Sequence, residues 1–355
     1  MKQLTFALYL ILAATNTFAQ PLKDATWNMA WLANDPLGSV PEVDECVKQD
    51  RAKVPMENRE PEACRKGTPF RLSGGYAGLA RAAVHYNFDI IGFQEVQSKS
   101  AVELVLGDRP LRTGADTNKV APGTYEVAVN PDGGWQKVGI AVRKALLVPG
   151  KSLTAIPLRE LGVPLVRDHR SGLDVVVPLK TGDLRVLVVH LKSACQRLPL
   201  DIAGHKNTPD CLALAQQAPV LASWIQDRQR EGKPFMILGD FNRVLTSGST
   251  HESCNGTTDC RTKALSASLD VNSLDDSPIL VPTAAIQQVA GCFEANYGAD
   301  LIDHVLLGAG AEAGFVSGSA TSHPYLDSKL QPITDKKMTF FFSDHCPVSI
   351  QWNPQ

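Results

Sequence analysis

"DVVVPLKTGDLRVLVVHLK", residues 174–192, decides the fold class. Two apolar, valine-rich runs flank Thr181-Gly182-Asp183, a short turn of the kind that joins antiparallel strands. The segments around this hairpin alternate between strand and helix. "SGGYAGLARAAVHYN" (73–87) places Tyr76, Leu79, Ala80, Ala83 and Val84 at helical spacing, with Ser73 as a candidate cap. "CLALAQQAPVLASWIQDRQREG" (211–232) reads as a second helix, which Pro219 is expected to kink. Strands are expected at "KDATWNMAWL" (23–32, ending at Asn28), "FDIIGFQEV" (88–96), "KVGIAVRK" (137–144), "PFMILGDFN" (234–242) and "ADLIDHVLLG" (299–308). Interleaved strands and helices indicate an α/β fold, and the hairpin means that its sheets are mixed, not purely parallel.

The chain of 355 residues is 44% hydrophobic and 20% charged, enough apolar content for a large core. Its 35 basic and 37 acidic residues leave a formal net charge of −2, which argues against a protein that coats nucleic acid but allows a local basic patch. "MKQLTFALYLILAATNTFAQ" has a Lys, an apolar run and Thr17-Phe18-Ala19 as a small-x-small cleavage site. Residues 1–19 are therefore expected to be a secretory signal peptide, leaving residues 20–355 as a single exported domain, secreted or periplasmic. Eight cysteines fit an oxidising compartment, and the simplest pairing joins neighbours: 46–64, 195–211, 254–260 and 292–346. Residues 35–72, polar and rich in Pro and charge, read as a loop stapled by the first pair. No CxxC pair or Cys/His ligand spacing points to zinc.

Several strands end in, or carry, side chains that an apolar core excludes. Asn28 lies in the first strand, Glu95 follows "IIGFQ", His190 follows "LVV", Asp240 and Asn242 follow "MILG", and Asp303-His304 follows "ADLI". The last strand, "PVSIQW" (347–352), has an alternating pattern with one apolar face and is preceded by Asp344 and His345. Each residue alone has an ordinary explanation as a turn or a satisfied surface group. Together they gather at strand mouths, where α/β folds place ligands. Glu95 and Asp344 suit a hard, oxygen-seeking ion such as Mg²⁺ or Mn²⁺. Two histidines can donate to phosphate oxygens, and Asp240 with Asn242 can hold and activate a water. The set suits metal-assisted phosphoester hydrolysis. It does not suit a serine nucleophile, since no GxSxG elbow is present.

In order, "TWNMAW", "IIGFQEV", "VGIAVR", "VVHLKS", "LGDFN", "IDHVLL" and "SDHCPV" resemble the endonuclease/exonuclease/phosphatase superfamily, the fold of pancreatic-type deoxyribonuclease and the abasic-site endonucleases. The stretch around "HLKSAC" resembles an exported bacterial branch of it. The resemblance spans nearly the whole mature chain. It implies a four-layer sandwich, two packed mixed β-sheets flanked by helices. It also implies roles: Asn28, Glu95 and Asp344 on the metal side; Asp240 activating water beside Asn242; His190 on the phosphate; and His345 as acid/base or donor, oriented by Asp303. Cys346 is read as structural, its side chain pointing away from that of His345 along an extended strand.

The substrate is set by loops, where cations such as Arg109, Arg112, Arg170, Lys336 and Lys337 sit beside apolar residues. Arg170 and Lys337 are expected to bind substrate. The leading expectation is a nuclease on DNA. A phosphatase or phospholipase C-type enzyme acting on lipid headgroups or small phosphoesters is the alternative, and a catalytically dead binding module the third. No membrane insertion or protein partner is inferred, and a monomer is expected.

Overall fold

The computed structural model describes residues 20–32, 73–107, 121–132, 136–162, 170–194, 209–243, 245, 279–287, 289, 292, 301–334 and 342–354. The expected signal peptide, the 35–72 loop, Cys195, Arg109, Arg112, Lys336 and Lys337 lie outside these residues.

The strands are β1 (Leu22–Leu32), β2 (Ile90–Val96), β3 (Tyr125–Val129), β4 (Lys137–Arg143), β5 (Thr154–Leu158), β6 (Gly172–Leu179), β7 (Gly182–His190), β8 (Phe235–Asp240), β9 (Asp303–Gly308), β10 (Thr321–Ser322) and β11 (Val348–Trp352). They form a six-stranded sheet, β10-β11-β1-β2-β4-β3, and a five-stranded sheet, β5-β6-β7-β8-β9. Both are mixed. The β1–β2 and β7–β8 pairs are parallel and the other pairs are antiparallel, including the expected β6–β7 hairpin. The longer helices are α1 (Ser73–Tyr86), α2 (Lys99–Val105) and α3 (Pro209–Glu231).

Strand alternation explains the layering. Along β7, Leu184, Val186 and Val188 join one apolar cluster while Leu187 and Val189 join another. The first set meets Ile90, Val138, Ile140, Val142 and Ile350 of the opposite sheet and forms the layer between the sheets. The second set packs under Leu214, Ala218, Leu221 and Ile225 of α3. On the other outer face, Trp27, Ile91 and Phe93 pack against Leu79 and Ala83 of α1 and Val102 of α2. The result is the expected four-layer sandwich of two packed mixed sheets flanked by helices. Gly92 lets the sheets close: a Cβ built on it would lie 2.6 Å from the Cβ of Leu238 across the interface.

One local expectation needs correction, and two gain detail. First, β1 runs on to Leu32 and does not stop at Asn28, because it continues through an irregularity between Asn28 and Leu32, with Ala30 at a φ of 41°. Second, α3 continues through Pro219 to Glu231; nine of its residues are buried, and this packing holds the segment despite the missing N–H. Third, β11 has the expected buried apolar face (Val348, Ile350 and Trp352), and its other face is partly covered. Ser349 is buried as well, since β11 lies between β1 and β10 and the Ser349 hydroxyl pairs with His323 Nε2 at 2.7 Å; only Gln351 is exposed. Cys292 and Cys346 are disulfide-bonded with Cα atoms 5.5 Å apart, and Cys211 is disulfide-bonded too.

Asp24 is a polar intruder in the apolar layer. It is fully buried and pairs along the sheet with Ile90 and Ile350. Burial, and then the charge of Asp89, holds its pKa well above the usual carboxylate range, so folding favours its neutral form. The unfolded chain ionises this group near pH 4. The stability tied to it is therefore complete below that pH and falls as pH rises toward the folded pKa. Asp24→Asn should leave stability nearly unchanged in acid and increase it progressively toward neutral pH, by at most about 1.4 kcal/mol per pH unit. Denaturant melts at several pH values test this; a gain that does not change with pH would contradict it.

Candidate active site

The alternation that builds the apolar layer also delivers the site. His190 continues the inward row of Val188, Asp240 that of Leu238, and Asp303 that of Val305. The three are aligned across the sheet: His190 pairs with Asp240, and Asp240 with Asp303. The opposite sheet supplies Asn28, which pairs with Gln94 of β2. Glu95, the next residue, should point outward by parity. The ladder is irregular there and Glu95 takes a φ of 56°, which turns its side chain toward the site. A left-handed backbone at a non-glycine residue costs energy and tends to mark a functional position. Asn242, at a φ of 50°, is a second case.

The contacts converge. The Asn28 side-chain NH2 donates to Asp240 Oδ2 at 3.0 Å and reaches Glu95 Oε1 at 3.4 Å. His190 Nε2 lies 3.6 Å from Asp240 Oδ2 and 3.8 Å from Glu95 Oε1. His345 Nδ1 lies 2.6 Å from Asp303 Oδ2, and its Nε2 lies 3.9 Å from Asp240 Oδ2. The Asn242 N–H donates to Asp240 Oδ1 at 2.7 Å, and its side chain donates to the Leu191 carbonyl at 2.9 Å. Arg170 donates to the same carbonyl at 2.8 Å. Asp344 is half-buried, and its charge bears on Glu95 and His345. Nine of the ten expected residues thus gather at one rim of the sandwich; the tenth, Lys337, is not among the described residues.

Asn28 has a defined place among these groups. Its Oδ1 accepts the Ala30 N–H at 2.9 Å, which fixes the amide and turns the NH2 toward the carboxylates. It bridges Glu95, the expected principal ligand on the metal side, and Asp240.

Burial raises the pKa of Glu95, and Asp344 adds to the rise; Arg170, His345 and Asn28 oppose it. Burial and the Asp303 charge push Asp240 up to about 7, against His345, Asn242 and Asn28. Burial, Arg170, His345 and Lys192 hold His190 well below its ordinary value, so it is neutral. Burial also works against protonation of His345, but the charge and hydrogen bond of Asp303, with Asp240 and Asp344, outweigh it and hold the ring well above its ordinary value.

These states decide where a cation fits. Ligand atoms of Asp240, Asp303 and His345 lie within 4.8 Å of one another. Yet a His345 protonated on both nitrogens has no lone pair to give. Glu95 and Asp344 are oxygen donors whose mutual repulsion a hard divalent ion would relieve. The residues present therefore fit such an ion on the Glu95 side.

Sequence reading missed the groups that hold the site in place. The Ser343 hydroxyl donates to the Asn28 carbonyl at 2.9 Å and accepts the His345 N–H at 3.1 Å. Tyr325 OH donates to the His345 carbonyl at 2.7 Å and accepts from Trp27 Nε1 at 2.8 Å. His304 Nδ1 lies 3.1 Å from the Thr283 hydroxyl, and its Nε2 lies 3.1 Å from the Arg243 carbonyl and 3.3 Å from the Leu245 nitrogen, in the turn that carries Asn242. The serine two residues before a histidine was a local signal for the first of these. Nothing local marked Tyr325.

A family model described as "Endonuclease/Exonuclease/phosphatase family" matches residues 25–345. No curated protein matches the chain. Among solved structures, a 3'-5' exonuclease (NExo) from Neisseria meningitidis is 12% identical over 94% of this chain and 100% of that chain, with a TM-score of 0.49. An endonuclease/exonuclease/phosphatase family protein from Bacteroides thetaiotaomicron is 17% identical over 94% and 98%, at 0.47. Truncated Caenorhabditis elegans TDP2 is 12% identical over 94% and 97%, at 0.48.

Removing the Asp303 charge should lower the His345 pKa, since that charge and its hydrogen bond favour the protonated ring. NMR titration of Asp303→Asn should show the ring losing its proton at lower pH than in the wild type. An unchanged titration would mean that Asp303 does not set the state of His345.

Proposed function

We propose, since the chain belongs to the endonuclease/exonuclease/phosphatase family, that it is an exported, divalent-metal-dependent hydrolase that cleaves the phosphodiester bonds of nucleic acid, DNA foremost. The family is one of phosphoester hydrolases. The observation that carries the reading is the pairing of His345 with Asp303 at 2.6 Å, set opposite Asp240, His190 and Glu95 at one rim.

The roles follow from the states of the groups. Asp240 takes a proton from the attacking water. A carboxylate raised to about 7 is a base matched to neutral pH. Asn242 and Asn28 fix its two oxygens, so the lone pair facing the site is oriented before substrate arrives. His345, charged and held by Asp303, presents its Nε2–H to the phosphate and stabilises the charge that builds as the P–O bond breaks. Neutral His190 contacts a phosphate oxygen from the other side. Glu95 and Asp344 would hold Mg²⁺ or Mn²⁺, whose charge polarises the phosphoryl oxygens when bound.

An anionic substrate is supported by Arg170, whose guanidinium is held at the rim by the Leu191 carbonyl and whose charge bears on His190. Among the described residues no helix is long and apolar enough to cross a membrane. Export is supported by the sequence of residues 1–19 alone.

The test offers the purified mature protein plasmid DNA, RNA, sphingomyelin and bis(p-nitrophenyl) phosphate, with Mg²⁺, Mn²⁺ or EDTA. DNA should be cleaved with metal and not with EDTA, and less as salt rises. Glu95→Gln should lose most activity while melting near the wild-type temperature. His345→Ala should lower kcat by roughly a hundredfold or more with little change in KM. Full turnover in EDTA would refute the metal. Intact DNA at every salt, with sphingomyelin or the small diester consumed, would establish the phosphatase or phospholipase C-type alternative. An intact mass that begins near Gln20 would support export.

A further inference from the structure

Gln136 stands immediately before β4 and belongs to no role assigned so far. It is 7% exposed, and its Oε1 accepts from an Arg170 terminal nitrogen at 2.8 Å. A buried glutamine oxygen aimed at a guanidinium needs a reason. Arg170 stands just before β6, in the other sheet, so this bond spans the sandwich at the rim that carries the site.

Three further observations show that the guanidinium is held in one position. Its other terminal nitrogen donates to the Leu191 carbonyl at 2.8 Å. That carbonyl also accepts Asn242 Nδ2 at 2.9 Å, and the Leu191 N–H donates to the Asp240 carbonyl at 2.9 Å, so Arg170 is tied to the two residues that handle water. The Asn130 side chain, also from the first sheet, donates to the carbonyls of Ser171 and Gly172, each at 3.0 Å, and so fixes the backbone next to Arg170. The Arg170 charge acts on both Glu95 and His190. The cation thus faces the carboxylate on the metal side and the histidine on the phosphate side. Leu191 and Gln136 both offer it neutral acceptors, which leave its charge to act on the site. A carboxylate in place of Gln136 would have neutralised it.

We infer that Arg170 grips an oxygen of the substrate phosphate and that Gln136 is the positioning residue which holds the guanidinium on that oxygen. The inference rests on the phosphoester reading of the site. Gln136 acts only through Arg170 and touches no substrate. Arg170 is also restrained by Leu191, so losing Gln136 loosens the clamp without releasing it.

The experiment is a double-mutant cycle on the full chain with Gln136→Met, Arg170→Met and the double variant. Two quantities are read: hydrolysis of bis(p-nitrophenyl) phosphate, and binding of inorganic phosphate by calorimetry, which needs no turnover. Gln136→Met should weaken phosphate binding and raise KM by roughly tenfold, and Arg170→Met by roughly a hundredfold, with kcat changed less in both. The double variant should match Arg170→Met alone, since without the guanidinium Gln136 has nothing to position. Losses that multiply in the double variant would overturn the inference, because a merely structural glutamine costs the same in either background. Wild-type phosphate binding unaffected by Arg170→Met would overturn it too. If the wild type hydrolyses no phosphoester, the functional reading fails, and the phosphate-binding cycle by itself still decides whether Gln136 positions an anion-gripping arginine.

Discussion

The register between β7, β8 and β9 is the constraint on which the site depends. His190, Asp240 and Asp303 are cross-strand partners, each at the end of an inward row whose other members are apolar. The same alternation that buries Val188, Leu238 and Val305 between the sheets puts an imidazole and two carboxylates at the rim of that layer. A slip of one residue in any of the three strands would send its polar member to the opposite face. The apolar layer thus sets the register, and the register assembles the chemistry.

Placing charge at such a rim costs energy, and the structure shows how it is met. Burial raises the pKa values of Glu95 and Asp240 and lowers that of His190. His345 is the exception, because Asp303 supplies both a charge and a short hydrogen bond. The site therefore holds a base close to neutrality, a charged donor and a neutral donor within a few ångströms of one another. Their different surroundings set these states. Two left-handed residues, Glu95 and Asn242, add backbone strain, and the groups around them hold them in place: Leu191 and the His304 network for Asn242, Asn28 for Glu95.

The disulfide and the hydroxyl network do related work at the last piece of the site. Cys346 belongs to the outer cluster under the helices, together with Cys292, while the neighbouring His345 side chain faces Asp303. Ser343 and Tyr325 hold the backbone on either side of His345. The turn 343–346 is thereby fixed to β1 on one side and to the outer core on the other, so His345 meets Asp303 without a search through conformations.

Much of this was written in the sequence, because strand periodicity is a local property. The hairpin at 174–190, the strand ends bearing Glu95, His190, Asp240 and Asp303, and the Asp344-His345 pair before the last strand could be read from alternation and from polar residues out of pattern. What the chain does not state is which distant residues meet. Asn28, read only as a metal-side residue, also ties Glu95 to Asp240 and takes the Ala30 N–H. Glu95 pointed the wrong way by parity, and only the irregular ladder turned it inward. The alternation of β11 says nothing of the cover that β10 and His323 give Ser349. Tyr325 and Gln136 carry no local mark, since their meaning is in hydrogen bonds to groups distant in the chain. Periodicity assigns a side chain to a face; only the packing of the two sheets decides what lies across from it.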